Sequence, residues 1–184
     1  MQYLLPSLRL WLVTFAICVV GYTALVLAFA QSVAPFQANG SIIEADGPAV
    51  GSKLIAQDFS SPRYFWPRPS AVDYDGMGAG GSNTSPTSPD LTDRAKELIA
   101  RYGATADKPI PADLVAASGG GLDPHISLEG ALYQADRVAA ARGLPPAEVK
   151  RLIEAQAVSA AGPFAPERIV NVLELNLALD RQAQ

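Results

Sequence analysis

The chain has 184 residues, with 18 Asp and Glu against 14 Lys and Arg and a formal net charge of −4. This acidic balance supplies no basic surface for phosphate backbones, so a nucleic-acid partner is excluded. A single cysteine, Cys18, rules out an internal disulfide.

Between Arg9 and Glu44, residues 10–43 hold no charged side chain. Within them Trp11–Ala30 is an apolar run that spans about 30 Å as a helix, the thickness of a bilayer's hydrocarbon core. The expectation is a single N-terminal transmembrane helix over residues 11–31, a short cytoplasmic N-terminus (1–10), and one soluble α+β domain over residues 32–184. A cleaved signal peptide is the rival reading, because Ala28-Phe29-Ala30 before Gln31 has the small-x-small pattern of a cleavage site. The run is longer than a typical signal core, which favours a retained anchor. Arg9 stands on the N-terminal flank, whereas Glu44 and Asp46 precede the first cation, Lys53, on the other. Cations near a span stay in the cytoplasm, so the domain is expected to be extracytoplasmic.

Beyond the span, Ser41–Ala56 reads as extended, with Ile42, Ile43, Val50, Leu54 and Ile55 punctuated by Gly47-Pro48 and Gly51. Asp58–Pro89 is long, irregular and rich in Pro, Gly and Ser. Tyr64, Phe65, Trp66 and Tyr74 within it argue against disorder. Ser88-Pro89-Asp90 opens a helix with Leu91, Ala95, Leu98 and Tyr102 on one face, ended by Gly103. A second helix is predicted from Ser127 to Gly143, its apolar face formed by Leu128, Leu132, Ala135 and Val138 or Ala139. A third follows Pro145-Pro146 and uses Val149, Leu152 and Ile153, and Arg168–Leu175 reads as a buried strand.

Motifs of autonomous catalysis are missing from the sequence: there is no phosphate-binding GxxxxGK[ST] loop, zinc-type Cys/His spacing or nucleophile elbow. Ser118-Gly119-Gly120-Gly121 can cradle a phosphate with its amides or simply allow a tight turn. His125 reads as a base or ligand, or as a surface or capping side chain. Asp123 before Pro124 suits an Asx-type turn. Arg63 and Arg68 interleaved with Tyr64, Phe65 and Trp66 form the densest cluster of interface residue types, and equally suit a core segment flanked by solvated arginines.

Six blocks in order carry a resemblance. They are Gly51–Phe59, Tyr64–Ala71 with Gly80–Asn83, Pro111–Val115 with Ala117-Ser118, Gly121–Ser127, Gln134 with Arg137–Ala139, and Asn171–Asp180. Together they closely resemble the C subunit of the potassium-transporting Kdp ATPase. Ala56 in place of the usual glycine, and Thr84-Ser85 after Asn83, depart from that pattern.

The resemblance implies an accessory, non-catalytic subunit of a high-affinity, ATP-driven potassium importer in a bacterial inner membrane. Its partners would be a channel-like A subunit, a P-type ATPase B subunit and a small F subunit. It further implies a catalytic chaperone that raises the ATP affinity of the B subunit. In that reading Gln134 and the turn Ser118, Gly119 and Gly120 resemble a nucleotide-binding signature. ATP would be met only through the complex with the B subunit, with no tightly bound cofactor or metal. The sequence agrees in lacking the Asp-Lys-Thr-Gly-Thr phosphorylation motif. An extracytoplasmic Gln134 conflicts with contact to cytoplasmic ATP, and its amide can equally satisfy a packing boundary. The alternative is a membrane-anchored extracytoplasmic interaction module unrelated to potassium transport.

Overall fold

The computed structural model describes residues 3–45, 47–160 and 167–182. The chain divides into two compact units, residues 1–50 and 51–184.

The first unit is dominated by one apolar helical rod, Leu4–Val33, which has the length and composition to cross a membrane. It comprises α1 (Leu4–Phe15), a π-helical turn (Ala16–Gly21) and α2 (Tyr22–Val33). The rod begins earlier than the expected span, because Leu4, Leu5, Leu8 and Leu10 continue the apolar composition. Pro6 falls in the first turn, where its missing N–H has no helical partner to lose. Ala34 leaves helical geometry (φ −142°, ψ 61°), and α3 (Pro35–Ala38) follows as a single turn. The expected extended stretch is a short hairpin of β1 (Ile42–Glu44) and β2 (Ala49–Ser52). Asp46 lies outside the described residues.

The second unit is a helix and small-sheet assembly. Its helices are α4 (Pro89–Tyr102), α5 (Leu128–Arg142), α6 (Pro146–Gln156) and α7 (Val172–Gln182), and a 3₁₀ turn covers Ala112–Leu114. The sheet is antiparallel in the order β3 (His125–Ser127), β5 (Arg168–Asn171), β4 (Val158–Ser159), with Ile126 opposite Val170. The caps act as the sequence suggests. Ser88 Oγ accepts from Asp90 N (3.2 Å) and Ser127 Oγ from Gly130 N (2.8 Å). Gly103 and Gly143 close α4 and α5 in the left-handed conformation, at φ 61° and 69°. The core gathers Leu114, Ile126, Val138, Val149, Ile153 and Leu175, all 0–1% exposed.

Two sequence expectations are corrected. The strand starting at Arg168 ends at Asn171, and Val172–Leu175 belongs to α7. Asn171 Oδ1 caps Glu174 N at 3.1 Å, and burial then recurs at Val172, Leu175, Asn176 and Leu179, which is helical spacing. The buried face of α5 keeps the expected Ala135, Val138 and Ala139 but is wider than expected: it extends to Ala131 and Gln134, with Leu128 and Leu132 partly buried against the core. Small side chains there admit a neighbouring backbone, which belongs to the irregular segment 58–89.

Candidate functional site

That segment has no regular structure between Asp58 and Ser88, yet Phe65 is 0% and Trp66 7% exposed. Buried backbone must find hydrogen-bond partners, and without a neighbouring strand they must come from side chains. Asn176 Nδ2 donates to Phe65 O (3.0 Å) and its Oδ1 accepts from Phe65 N (2.8 Å). Gln134 Nε2 donates to Trp66 O (3.1 Å) and its Oε1 accepts from Trp66 N (2.9 Å). In an extended chain, the N–H and C=O of one residue point to the same side and those of the next point to the other. A carboxamide offers one donor and one acceptor in a plane, so each amide mimics one residue of a facing strand. The strap is therefore held from α7 on one edge and from α5 on the other.

Two arginines extend the pattern. Arg137 donates to Pro62 O (2.7 Å), Tyr64 O (3.1 Å) and Gln134 Oε1 (2.7 Å). Arg142 Nε donates to Arg63 O at 2.7 Å, while its guanidinium pairs with Asp180 (2.8 Å), which also accepts from the Tyr64 hydroxyl (3.1 Å). Trp66 Nε1 donates to Ser61 O at 3.0 Å. Six consecutive carbonyls, from Ser61 to Trp66, thus each accept a side-chain donor. Burial above all lowers the pKa of Arg137 to about 10, so it remains a cation at neutral pH.

The glycine-rich turn grips the same strap further along. Ser118 N donates to Pro69 O (2.9 Å), Gly80 N to Gly120 O (2.9 Å), and Ser118 Oγ accepts from Asp123 N (3.3 Å). Gly121 adopts φ +72°, and a Cβ there would lie 2.6 Å from Val72 Cγ2 and 2.7 Å from Gly80 O, so the contact admits only glycine. Gly119 and Gly120 are exposed.

A cleft of about 290 Å³ opens beside this turn, lined by Arg68, Asp113, Asp123, His125, Ser127 and Arg168 among others. Asp123 closes the Asx turn, accepting from His125 N at 3.0 Å, and pairs with Arg68 at 3.0 Å. Hydrogen bonding from the His125 side chain, reinforced by Arg68, holds its carboxyl below the usual carboxylate range. Asp113 Oδ2 accepts from Ser127 N at 2.8 Å, so a carboxylate of the chain itself already occupies the start of α5. Among the described residues no group of three His, Cys, Asp or Glu side chains is arranged to hold a metal.

Of the nucleotide candidates, Gln134, Ser118 and Gly120 therefore meet a common strap, at Trp66, Pro69 and Gly80 respectively, and the Gly119 carbonyl lies against Gly81. Both lone pairs of Gln134 Oε1 are engaged there, and Gln134 is 1% exposed. Of the interface candidates, Phe65 and Trp66 face the chain's own core, Tyr64 and Arg68 are half-buried, and Arg63 is exposed. Sequence reading missed Asn176. Its signal is a polar residue inside the apolar run Leu173, Leu175, Leu177, Leu179.

The family model described as the K+-transporting ATPase c chain matches residues 4–181. The chain belongs to the KdpC family. Among similar proteins is the potassium-transporting ATPase KdpC subunit of Parvibaculum lavamentivorans, 62% identical over 182 residues that cover 98% of this chain and 97% of the relative. The KdpC subunit of Burkholderia orbicola is 46% identical, covering 95% of this chain and 94% of its own length. That of Sorangium cellulosum is 46% identical, covering 98% of each. The KdpC match takes in both the apolar rod and the strap with its clamping residues.

Proposed function

We propose that this chain is the membrane-anchored accessory subunit of a potassium-transporting ATPase complex. It would hold together a channel-like A subunit, a P-type ATPase B subunit and an F subunit. The observation that carries this reading is the family match over residues 4–181, which joins the apolar rod and the clamped unit in one subunit type. The rod Leu4–Val33 anchors the chain, with Arg9 on the cytoplasmic side and residues 51–184 outside. A body whose irregular strap is fixed by side chains presents a preorganised surface, and binding then needs little further ordering.

Any rise in ATP affinity of the B subunit is, in this reading, transmitted through subunit contacts. Direct nucleotide contact by the Gln134 amide would first require releasing Trp66, which leaves buried peptide groups without partners. In this reading the chain holds no cofactor tightly, and ATP is met only through the complex with the B subunit.

Affinity purification of the tagged chain from potassium-starved cells should recover the channel-like and ATPase subunits, and recovery of neither would sink the proposal. Topology is tested with a Cys18→Ser, Asp107→Cys chain, since Asp107 is exposed. A membrane-impermeant maleimide should label it in intact spheroplasts, and labelling only after lysis would reverse the orientation.

A further inference from the structure

Two arginines at the strap have carboxylate partners: Arg68 with Asp123 and Arg142 with Asp180. Trp66 carries two that do not. The Arg137 guanidinium lies 3.6 Å and that of Arg101 4.0 Å from the centre of the Trp66 ring. Two planar cations so close to one centroid cannot share a face, so the indole is sandwiched between them. Arg137 donates from Nη1 and Nη2 to neutral oxygens only, its Nε is buried with no hydrogen-bond partner, and among the described residues neither guanidinium makes an ion pair. Like charges thus face each other across one ring without a counterion among the described residues.

Arg101 is the outer member, exposed on the last turn of α4. Tyr102 beside it packs edge-on against Trp66 at 5.2 Å and fixes that turn. Stacking uses the face of the guanidinium and leaves its five edge N–H donors directed sideways, the geometry that receives a carboxylate in a fork.

We propose that Arg101 is a docking point for a carboxylate on an acidic segment of a partner subunit. This rests on the subunit reading above. A protein carboxylate fits better than an anionic bilayer, because headgroup binding needs a cluster of cations. Here α4 sets Asp90, Asp93 and Glu97 against Arg94, Lys96 and Arg101, with Lys96 paired to Asp93, so the helix has no net positive charge, and the whole chain is net negative. The partner's carboxylate would supply the missing counterion to the Arg101–Trp66–Arg137 stack.

The test uses the complete complex purified with wild-type, Arg101→Lys and Arg101→Gln chains and treated with a carbodiimide, which joins an amine to a contacting carboxylate. Arg101→Lys should give a new cross-link from position 101 to an Asp or Glu of a partner subunit, absent from the other two. Arg101→Gln should be retained several-fold less than wild type as salt is raised, while the denaturation midpoint of the free chain stays close to wild type. Cross-linking of Arg101→Lys only to Glu97 of its own chain, or equal retention of all three chains, would overturn the proposal. So would loss of Arg101→Gln from anionic vesicles but not from the complex. Recovery of the wild-type chain with its partners tests the subunit reading separately.

Discussion

Along Leu4–Val33 each backbone N–H beyond the first turn meets a carbonyl of its own helix, and residues 3–29 are all exposed. Along Ser61–Trp66 the reverse holds: side chains serve the carbonyls, and Phe65 and Trp66 are buried. The two regions satisfy the same peptide chemistry by opposite routes. A rod that supplies its own hydrogen bonds is suited to a solvent that offers none. A strap that borrows them is fixed only while its donors stay folded around it. Regularity therefore does not measure burial in this chain, and stability in the second unit should be concentrated in a few polar side chains.

The largest effect should come from the clamps. Asn176→Ala or Gln134→Ala leaves a buried N–H and C=O without partners and removes side-chain packing, which should cost about 2–5 kcal/mol each. Urea unfolding of the full chain in detergent checks this. The midpoint of the second unit should fall while the helical signal of Leu4–Val33 persists beyond it. Losses below about 1 kcal/mol for both variants would mean that hydrophobic packing alone fixes the strap.

A smaller effect separates the two uses of the glycine turn. Gly121→Ala places a methyl group against Val72 and Gly80 at φ +72°, and about 2–4 kcal/mol should be lost. Gly119→Ala meets nothing within 4 Å and should stay within about 0.5 kcal/mol. Equal losses at both positions would show that the turn is not docked on the strap through Gly121. A drop in the ATP affinity of the complex with Gly119→Ala, at unchanged stability, would instead favour the phosphate cradle.

The contrast between rod and strap also explains what the sequence disclosed. Charge-free length marked the rod, and Ser88, Gly103, Ser127 and Gly143 marked helix ends, because both signals are local. The strap's partners lie far along the chain: Asn176 is 111 residues from Phe65 and Gln134 is 68 from Trp66. No periodicity encodes such pairings. Arg168–Leu175 misled because its β-branched residues outweighed a single cap, Asn171 with Glu174, that switches strand to helix. Gln134 stands out by resemblance and its amide suits a packing boundary, but the partner it serves, Trp66, is visible only in the fold.

The smallest predicted effect concerns charge at the strap's far end, where Asp123 joins Arg68 to His125. His125 and Arg68 hold the Asp123 carboxyl below its ordinary value in the folded chain. A carboxylate so depressed stabilises the fold above the unfolded pKa of about 3.9, and that contribution disappears as pH falls through the folded value. Asp123→Asn should therefore lower Tm most near neutrality, with the gap to wild type closing between about pH 5 and pH 2. Its side chain is 36% exposed, so the gap should stay below about 1 kcal/mol and shrink in high salt. Asparagine retains an oxygen for the His125 N–H, so the turn survives and the pH-dependent difference isolates the ionic part. A gap that persists undiminished at low pH would mean the strap's end, like its middle, is held by neutral hydrogen bonds rather than by charge.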